Sequence, residues 1–130
     1  MIEIKPITGT IDAIITVPGS KSYTNRALIT AALANGESTI TNALFSDDTK
    51  YMASGLNILG IPIEEQQDAS RFVVHGKGGI IPVNQANLFI GNAGTAMRFL
   101  TAMLTLGNGV YEIDGVIRMR QRPIQDLLDG

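Results

Sequence analysis

The sequence has no cysteine and a single histidine, His75, and these absences exclude several kinds of site. Without thiols the chain has no disulfide framework, no cysteine nucleophile and no thiolate metal ligand. One histidine cannot build a histidine metal centre. Any chemistry therefore falls to lysine, arginine, acidic and hydroxyl side chains and to backbone groups, and we expect neither a metal nor a cofactor.

Long hydrophobic runs and an excess of basic residues are also missing. No apolar run reaches the roughly 18 to 20 residues that cross a bilayer, and the N-terminus lacks a basic segment followed by an apolar one. Ten basic residues against twelve acidic ones give a net charge of -2, which argues against general nucleic-acid binding. We expect a cytoplasmic protein that binds neither membranes nor nucleic acids.

What is present suits a compact folded unit. The 130 residues are 45% hydrophobic and 17% charged, a composition that excludes disorder. β-Branched runs alternate with alanine- and leucine-rich runs, which predicts an α/β fold. Strands are predicted over residues 2–7, 11–17, 37–44, 61–65, 71–75, 87–90 and 109–114, and helices over 22–35, from Ser46 to Gly60, over 95–106 and from Arg122 onward.

The sequence resembles itself when it is shifted by 72 residues. The order of strand, glycine turn, apolar helix, strand and second helix is the same in both copies. We interpret the chain as one unit, from about Ile15 to Ala86, followed by a second copy that stops inside its second helix. The identical pairs are Gly19 with Gly91, Arg26 with Arg98, Leu28 with Leu100, and Leu56 with Leu128.

Residues 17–22, VPGSKS, place a cation and hydroxyls where a strand turns into a helix. The first amides of that helix are unpaired donors at the positive end of its dipole, and Lys21 adds a full charge, so the turn suits an anion. The spacing is not that of a Walker A loop. A capped helix with an exposed lysine is an equal alternative. Arg26, one turn further on, either faces the same ligand or pairs with a carboxylate.

Residues 91–95, GNAGT, repeat this arrangement in the second copy. Glycine permits close backbone approach, and Asn92 and Thr95 offer polar groups. Arg98 lies on the polar stripe of an otherwise apolar helix, where it either contacts a ligand or forms an internal ion pair. Gly94 either belongs to the ligand site or simply caps the helix.

Three arginines, Arg118, Arg120 and Arg122, fall within five positions near the C-terminal end. In an extended segment they would lie on one side, where an anion would relieve their repulsion. A solvated basic loop is the alternative. Asp47 and Asp48 are interpreted as helix-capping acids, and His75 as an ordinary strand residue. Together the turns point to a small substrate with several negative charges, but not to a particular reaction.

Three segments in this order resemble the 5-enolpyruvylshikimate-3-phosphate (EPSP) synthase family: VPGSKSYTNRAL at 17–28, GNAGTAMR at 91–98 and RMRQRPI at 118–124. The likeness covers the whole chain, which corresponds to the N-terminal portion of longer family members. It implies repeated βαβαββ units of the enolpyruvyl transferase fold, one complete and part of a second. Residues 1–17 would be strands that belong with the other domain, and 18–130 a partial substrate-binding domain, with about 18–86 as the first unit and 87–130 as the truncated second.

The resemblance also implies a reaction. Family members transfer the enolpyruvyl group of phosphoenolpyruvate to the 5-hydroxyl of shikimate 3-phosphate and release phosphate through a tetrahedral intermediate, without metal or cofactor. The family's acid and base carboxylates lie outside these 130 residues, so we expect the chain alone to have no turnover and to need the missing C-terminal portion as its partner. The family is the target of the inhibitor glyphosate, and Phe99 stands where many members have proline, so sensitivity is an open question here.

The resemblance assigns roles by position in these motifs. Lys21 would be the catalytic residue and contact both substrates, and Ser22 and Arg26 would hold shikimate 3-phosphate. Part of the phosphoenolpyruvate site would be formed by Asn92, Gly94 and Arg122. Thr95 would be a further substrate-binding residue, and Arg98 would support the site.

Two alternatives remain at this stage. The related UDP-N-acetylglucosamine enolpyruvyl transferase shares the implied fold and an Arg-Pro motif, but usually carries a cysteine before it, and this chain has none. The second alternative is a non-catalytic anion-binding module that is complete at this length.

Overall fold

The structure is a computed structural model and describes residues 2–4 and 6–130; the parts of the predicted N-terminal strands at Met1 and Lys5 lie outside them. The chain combines helices and strands, which confirms the α/β prediction. The elements are α1 (Lys21–Leu33), β1 (Asn35–Ile40), α2 (Asp47–Ile58), β2 (Ile63–Gln66), a 3-10 turn (Gln67–Ala69), β3 (Arg71–Lys77), β4 (Gln85–Phe89), α3 (Gly94–Leu104), β5 (Val110–Asp114), α4 (Ile117–Arg120) and α5 (Gln125–Leu128).

Side-chain caps determine where the first two helices begin. The Ser20 hydroxyl accepts a hydrogen bond from the backbone N–H of Tyr23 at the start of α1. Ser46 caps α2 as predicted, and Thr49 completes a capping box because its hydroxyl accepts from the Ser46 N–H at 2.9 Å. Asp47 and Asp48 occupy the first turn of α2, where their charges complement the helix dipole.

Strands β1, β3 and β2 form an antiparallel sheet in that spatial order, so β3 is the central strand. Phe72 and Val74 on β3 are fully buried. His75 lies on β3 between two carboxylates of the flanking strands, with Nε2 3.1 Å from Glu64 Oε1 and Nδ1 3.8 Å from Glu37 Oε2. Its interpretation as an ordinary strand residue is confirmed.

Strands β4 and β5 form a separate parallel pair in which Gln85 faces Val110 and Phe89 faces Asp114. Parallel strands need a crossover connection, and α3 provides it. Helix α2 packs against α1, α3 and β4. The two halves of the sequence therefore share one hydrophobic core, and Leu28, Leu56, Phe72, Leu88 and Leu100 are among its buried members. Over the described residues, no helix combines the length and the apolar character needed to cross a membrane.

The two strands predicted before residue 18 do not form. Residues 2–4 and 6–18 contain neither helix nor strand, and their apolar side chains are exposed. β-Branched composition alone cannot offset the entropy of ordering an extended segment; that requires a pairing strand. The assignment of residues 1–17 to another domain stays a prediction.

The internal repeat is matched in some elements and not in others. Shifting α1 by 72 positions gives 93–105, which nearly coincides with α3 at Gly94–Leu104. The reverse shift of β4 falls on 13–17, where no strand is formed. The division into one complete βαβαββ unit at about 18–86 and a truncated second at 87–130 therefore stays a prediction.

Candidate functional site

The turn between β4 and α3 contains two glycines that close packing requires. Gly91 has a positive φ of 56° and lies against the ring of Tyr51, so a Cβ there would overlap the ring. Gly94 is the first residue of α3 and lies under the guanidinium of Arg122. The alternative that Gly94 merely caps the helix is wrong, because Ala93 occupies the cap position and Gly94 makes room for an arginine.

The arginine-rich segment is docked on this turn. The Val116 N–H donates to the Gly91 carbonyl at 3.0 Å, and the Met119 side chain next to it is buried. The Arg122 N–H donates to the Met119 carbonyl at 3.0 Å and so ends the short helix α4. The Arg122 side chain then reaches back and donates from Nη1 to the Asn92 carbonyl at 3.2 Å.

The prediction that three arginines share one side of an extended segment is wrong. Residues 117–120 form a helical turn, which buries Met119 and directs Arg120 elsewhere. Arg120 donates from Nε to Asp114 Oδ1 at 2.8 Å and from Nη2 to Asp114 Oδ2. The hydrogen bond from Arg120, together with that from the Gly115 N–H, holds the pKa of Asp114 below its usual range. Arg120 is therefore neutralised.

The helix expected to open at Arg122 begins later than predicted. Helix α5 starts at Gln125, with Ile124 at its N-cap, so Pro123 precedes the helix instead of occupying its first position. Arg98 contacts this segment: its Nη2 donates to the Pro123 carbonyl at 2.9 Å, while Nη1 donates to the Gly94 carbonyl at 3.3 Å. The Pro123 carbonyl is thus bonded to a side chain of α3 just before α5 begins. Its partners in the described part of the chain are carbonyls, so the internal ion pair considered for Arg98 is not formed there.

Arg118 and Arg122 face an open cavity of about 480 Å³, which Asn92, Gln121 and Pro123 also line. None of these described lining residues is acidic. Guanidinium groups bind carboxylate and phosphate through paired, charge-assisted hydrogen bonds. The cavity can therefore hold a small anion beside the first turn of α3, where the half-buried Thr95 follows Gly94.

The other predicted turn lies at the start of α1. Gly19 lies against the backbone of Asn42, so closely that a Cβ would overlap its carbonyl oxygen. Lys21 Nζ lies 3.4 Å from Asp48 Oδ1, which joins the N-terminal ends of α1 and α2. The lysine side chain is 48% exposed and Ser22 is exposed, so both are accessible to a ligand.

Arg26 has no carboxylate partner within the described part of the chain. Its Nη1 donates to the Ser22 carbonyl at 3.0 Å, and its Cζ lies 5.7 Å from the centre of the Phe99 ring. The carboxylate pairing considered for Arg26 is therefore replaced by an aromatic contact that joins α1 to α3.

The structure brings some of the predicted site residues together directly. Asn92, Gly94, Arg98 and Arg122 are linked by hydrogen bonds and close packing. Lys21, Ser22 and Arg26 lie on the first turns of α1, and the Arg26–Phe99 contact connects that group with α3. The substrate roles of all eight residues, Thr95 included, stay predictions.

Sequence reasoning missed three contributors to this region. Asp48 was interpreted only as a helix cap, yet it also pairs with Lys21. Asp114 and Tyr51 were not singled out, although they hold Arg120 and cover Gly91. None of these three residues has a local sequence signal, because each lies between six and forty residues from its partner.

Comparisons with known proteins identify the family of this chain. The model of the EPSP synthase family (3-phosphoshikimate 1-carboxyvinyltransferase) matches residues 5–130. The 3-phosphoshikimate 1-carboxyvinyltransferase of Nostoc sp. (strain PCC 7120) is 54% identical over 127 residues, and the match covers 98% of this chain and 30% of that protein. The chloroplastic enzyme of Petunia hybrida is 50% identical over 134 residues, covering 98% and 25%.

Solved structures show the same likeness. An EPSP synthase from Acinetobacter baumannii superposes with a TM-score of 0.77 at 28% sequence identity, covering 88% of this chain and 26% of that one. The chain thus spans about 30% of the length of the curated relatives it matches first. With a family model that extends over nearly all its residues and relatives at this level of identity, the chain belongs to the EPSP synthase family.

Proposed function

We propose that this chain is the N-terminal part of an enzyme that transfers the enolpyruvyl group of phosphoenolpyruvate to the 5-hydroxyl of shikimate 3-phosphate. The observation that carries the proposal is the packing of the Arg122 guanidinium on Gly94 at the start of α3. It places a fixed positive charge beside unpaired helix amides, and Arg118 adds a second charge across the same cavity. Both substrates are phosphorylated carboxylic acids, and this environment is complementary to them.

Phosphoenolpyruvate fits the turn at the start of α3. Arg122 and the neighbouring side chains of Asn92 and Thr95 offer donors there, and Gly94 leaves room for the guanidinium. Arg98 holds the two backbone segments that carry these residues. Because Asp114 neutralises Arg120, the charge facing the cavity comes from two guanidinium groups. Two cations match a carboxylate and a phosphate better than an isolated charge would.

Shikimate 3-phosphate fits the turn at the start of α1. Ser22 and Arg26 supply a hydroxyl and a guanidinium, and Lys21 is the group that would contact both substrates. Asp48 orients the Lys21 ammonium without burying it, since the lysine side chain remains 48% exposed. The ammonium is therefore available to a phosphate or carboxylate.

These residues contribute positioning and charge stabilisation to the reaction. Holding two anionic substrates together offsets their mutual repulsion and the loss of translational freedom, and fixed cations stabilise charge as the tetrahedral intermediate forms and phosphate leaves. The acid and base groups belong to the C-terminal portion of such enzymes. We propose that this chain has no turnover until that portion is added, and that residues 1–17 pack within it; the apolar side chains of residues 2–4 and 6–17 are exposed.

Calorimetric titration of the chain tests this proposal. We expect phosphoenolpyruvate and shikimate 3-phosphate to bind more tightly than inorganic phosphate, and Arg122→Gln to weaken phosphoenolpyruvate about tenfold, as the loss of one charge-assisted hydrogen bond implies. Lys77→Gln, which removes an exposed charge at the end of β3, is the matched control. Equal affinity for all three anions would favour a general anion-binding module and contradict the proposal.

Adding the C-terminal portion of a full-length relative tests the catalytic half of the proposal. Phosphate release that requires both pieces and is lost with Lys21→Met would support it. Turnover by the 130-residue chain alone would contradict the assignment of the acid and base groups to the other portion.

A further inference from the structure

Helix α3 carries two adjacent side chains that serve different turns of the site. Arg98 donates to the carbonyls of Gly94 and Pro123 and so joins the turn at the start of α3 to the arginine-rich segment. Phe99 is the next residue, and its ring centre lies 5.7 Å from the guanidinium carbon of Arg26, which belongs to the turn at the start of α1. One helix thus contacts the groups assigned to both substrates.

The contact between Arg26 and Phe99 differs in kind from the other arginine contacts here. Arg120 is held by a carboxylate, which accepts from its Nε and Nη2 and offsets its charge. An aromatic ring attracts the guanidinium through its face and does not consume those donors. Arg26 is therefore held in place with most of its donors free for a ligand. Among the described residues, its one side-chain hydrogen bond runs from Nη1 to the Ser22 carbonyl.

Arg26 needs such a contact because it is exposed. A long exposed side chain samples many rotamers, and its ordering lowers the affinity for any ligand that it must meet. Phe99 is half-buried and packs against the hydrophobic core, so its ring is a fixed support. The ring restricts the guanidinium before a ligand arrives.

We propose that Phe99 is a positioning residue that preorganises Arg26 for shikimate 3-phosphate. A side chain of α3 would thus set the affinity for the ligand bound at the start of α1. The identity of the ligand rests on the proposed function. Phosphoenolpyruvate binding does not depend on this contact, because its proposed ligands are held by Arg98.

Two substitutions at Phe99 separate this role from packing. Phe99→Met keeps a similar apolar volume but removes the ring, and Phe99→Tyr keeps the ring. We expect Phe99→Met to weaken shikimate 3-phosphate about two- to fivefold, the range for an exposed cation–π contact, and to leave phosphoenolpyruvate unchanged. Phe99→Tyr restores the wild-type affinity. Circular dichroism and thermal unfolding verify that each variant is folded, and Phe99→Leu replaces Phe99→Met if the latter is not.

A readout that needs no ligand accompanies the titrations. In the NMR spectrum, the Arg26 side-chain Nε–Hε signal is shifted by the ring current of Phe99, and it moves toward the free-arginine position in Phe99→Met but not in Phe99→Tyr. In an Arg26→Gln background, Phe99→Met causes no further loss of shikimate 3-phosphate affinity, because the guanidinium that it supports is absent.

The outcomes are distinct. An unchanged shikimate 3-phosphate affinity in folded Phe99→Met, or an equal loss in the Arg26→Gln background, overturns the positioning role and leaves the proposed function intact. If the wild-type chain binds shikimate 3-phosphate no better than inorganic phosphate, the proposed function fails and this inference fails with it.

Discussion

Replacing Gly94 with alanine tests whether Arg122 is held where the structure places it. An added Cβ would lie 2.5 Å from both terminal nitrogens of the Arg122 guanidinium and 2.6 Å from its Cζ. The atoms that must yield belong to the end of a flexible side chain. We therefore expect Gly94→Ala to fold normally but to displace the guanidinium from the start of α3.

The size of the effect follows from these distances. Ordinary van der Waals contact begins at 3.4 Å, so the guanidinium must retreat by about 0.9 Å from its present 2.5 Å. Its hydrogen bond to the Asn92 carbonyl is already 3.2 Å long and would break. A hydrogen bond from a charged group contributes about 1.5–3 kcal/mol, and exposure of this arginine places the effect at the lower end. We expect phosphoenolpyruvate affinity to fall about tenfold.

The assay is a titration of phosphoenolpyruvate against the wild-type chain, Gly94→Ala and the control Gly9→Ala, with thermal unfolding of each. A Cβ at Gly9 meets nothing within 4 Å, so the control should behave as wild type. In an Arg122→Gln background, Gly94→Ala should cost no further affinity. Wild-type affinity in Gly94→Ala, or a loss of stability as large as that of a core deletion, would refute the packing of Arg122 on Gly94.

Three further predictions concern stability. Gly19→Ala should lower the free energy of unfolding by about 3 kcal/mol in urea titrations. The added Cβ would overlap the backbone carbonyl of Asn42, which cannot move aside as a side chain can. A change within about 0.5 kcal/mol, which is typical of a neutral surface substitution, would contradict this prediction. Asn25→Leu should raise the free energy of unfolding by about 1–2 kcal/mol. The side-chain nitrogen and oxygen of the fully buried Asn25 both lack a hydrogen-bond partner among the described residues. Destabilisation would show that this amide is hydrogen-bonded in solution. The pKa of Asp114 is lowered in the folded chain, so its pairing with Arg120 adds stability above the ordinary value of 3.8 and loses it as the pH falls below that value. Asp114→Asn should flatten the acid limb of the stability curve there, and an unchanged limb would refute the pairing.

Elements with local signals could be predicted from the sequence. Ser46 marks the start of α2 because a serine cap acts within three residues. The apolar run after Arg71 predicts a strand, which is β3 in the structure, because phenylalanine and valine favour strands. The sequence also predicts turns at Gly19 and Gly91, and both glycines make close contacts in the structure.

Features that depend on distant partners could not be predicted. The run before residue 18 has the composition of a strand whether or not a partner strand is present, so composition cannot distinguish the two cases. The different fates of Arg118 and Arg120 depend on a helical turn that buries Met119 between them. The Lys21–Asp48 pair joins two helix ends that no sequence period relates.

The isoleucines before α1 have a practical consequence for work with this chain. Ile2, Ile4, Ile7, Ile14 and Ile15 each leave at least 73% of their surface in water. An unpaired stretch of this composition is a template on which a second molecule can add by backbone hydrogen bonding. We therefore expect self-association to rise steeply with protein concentration, so dilute samples will report on the monomer while crystallisation drops will sample its aggregates.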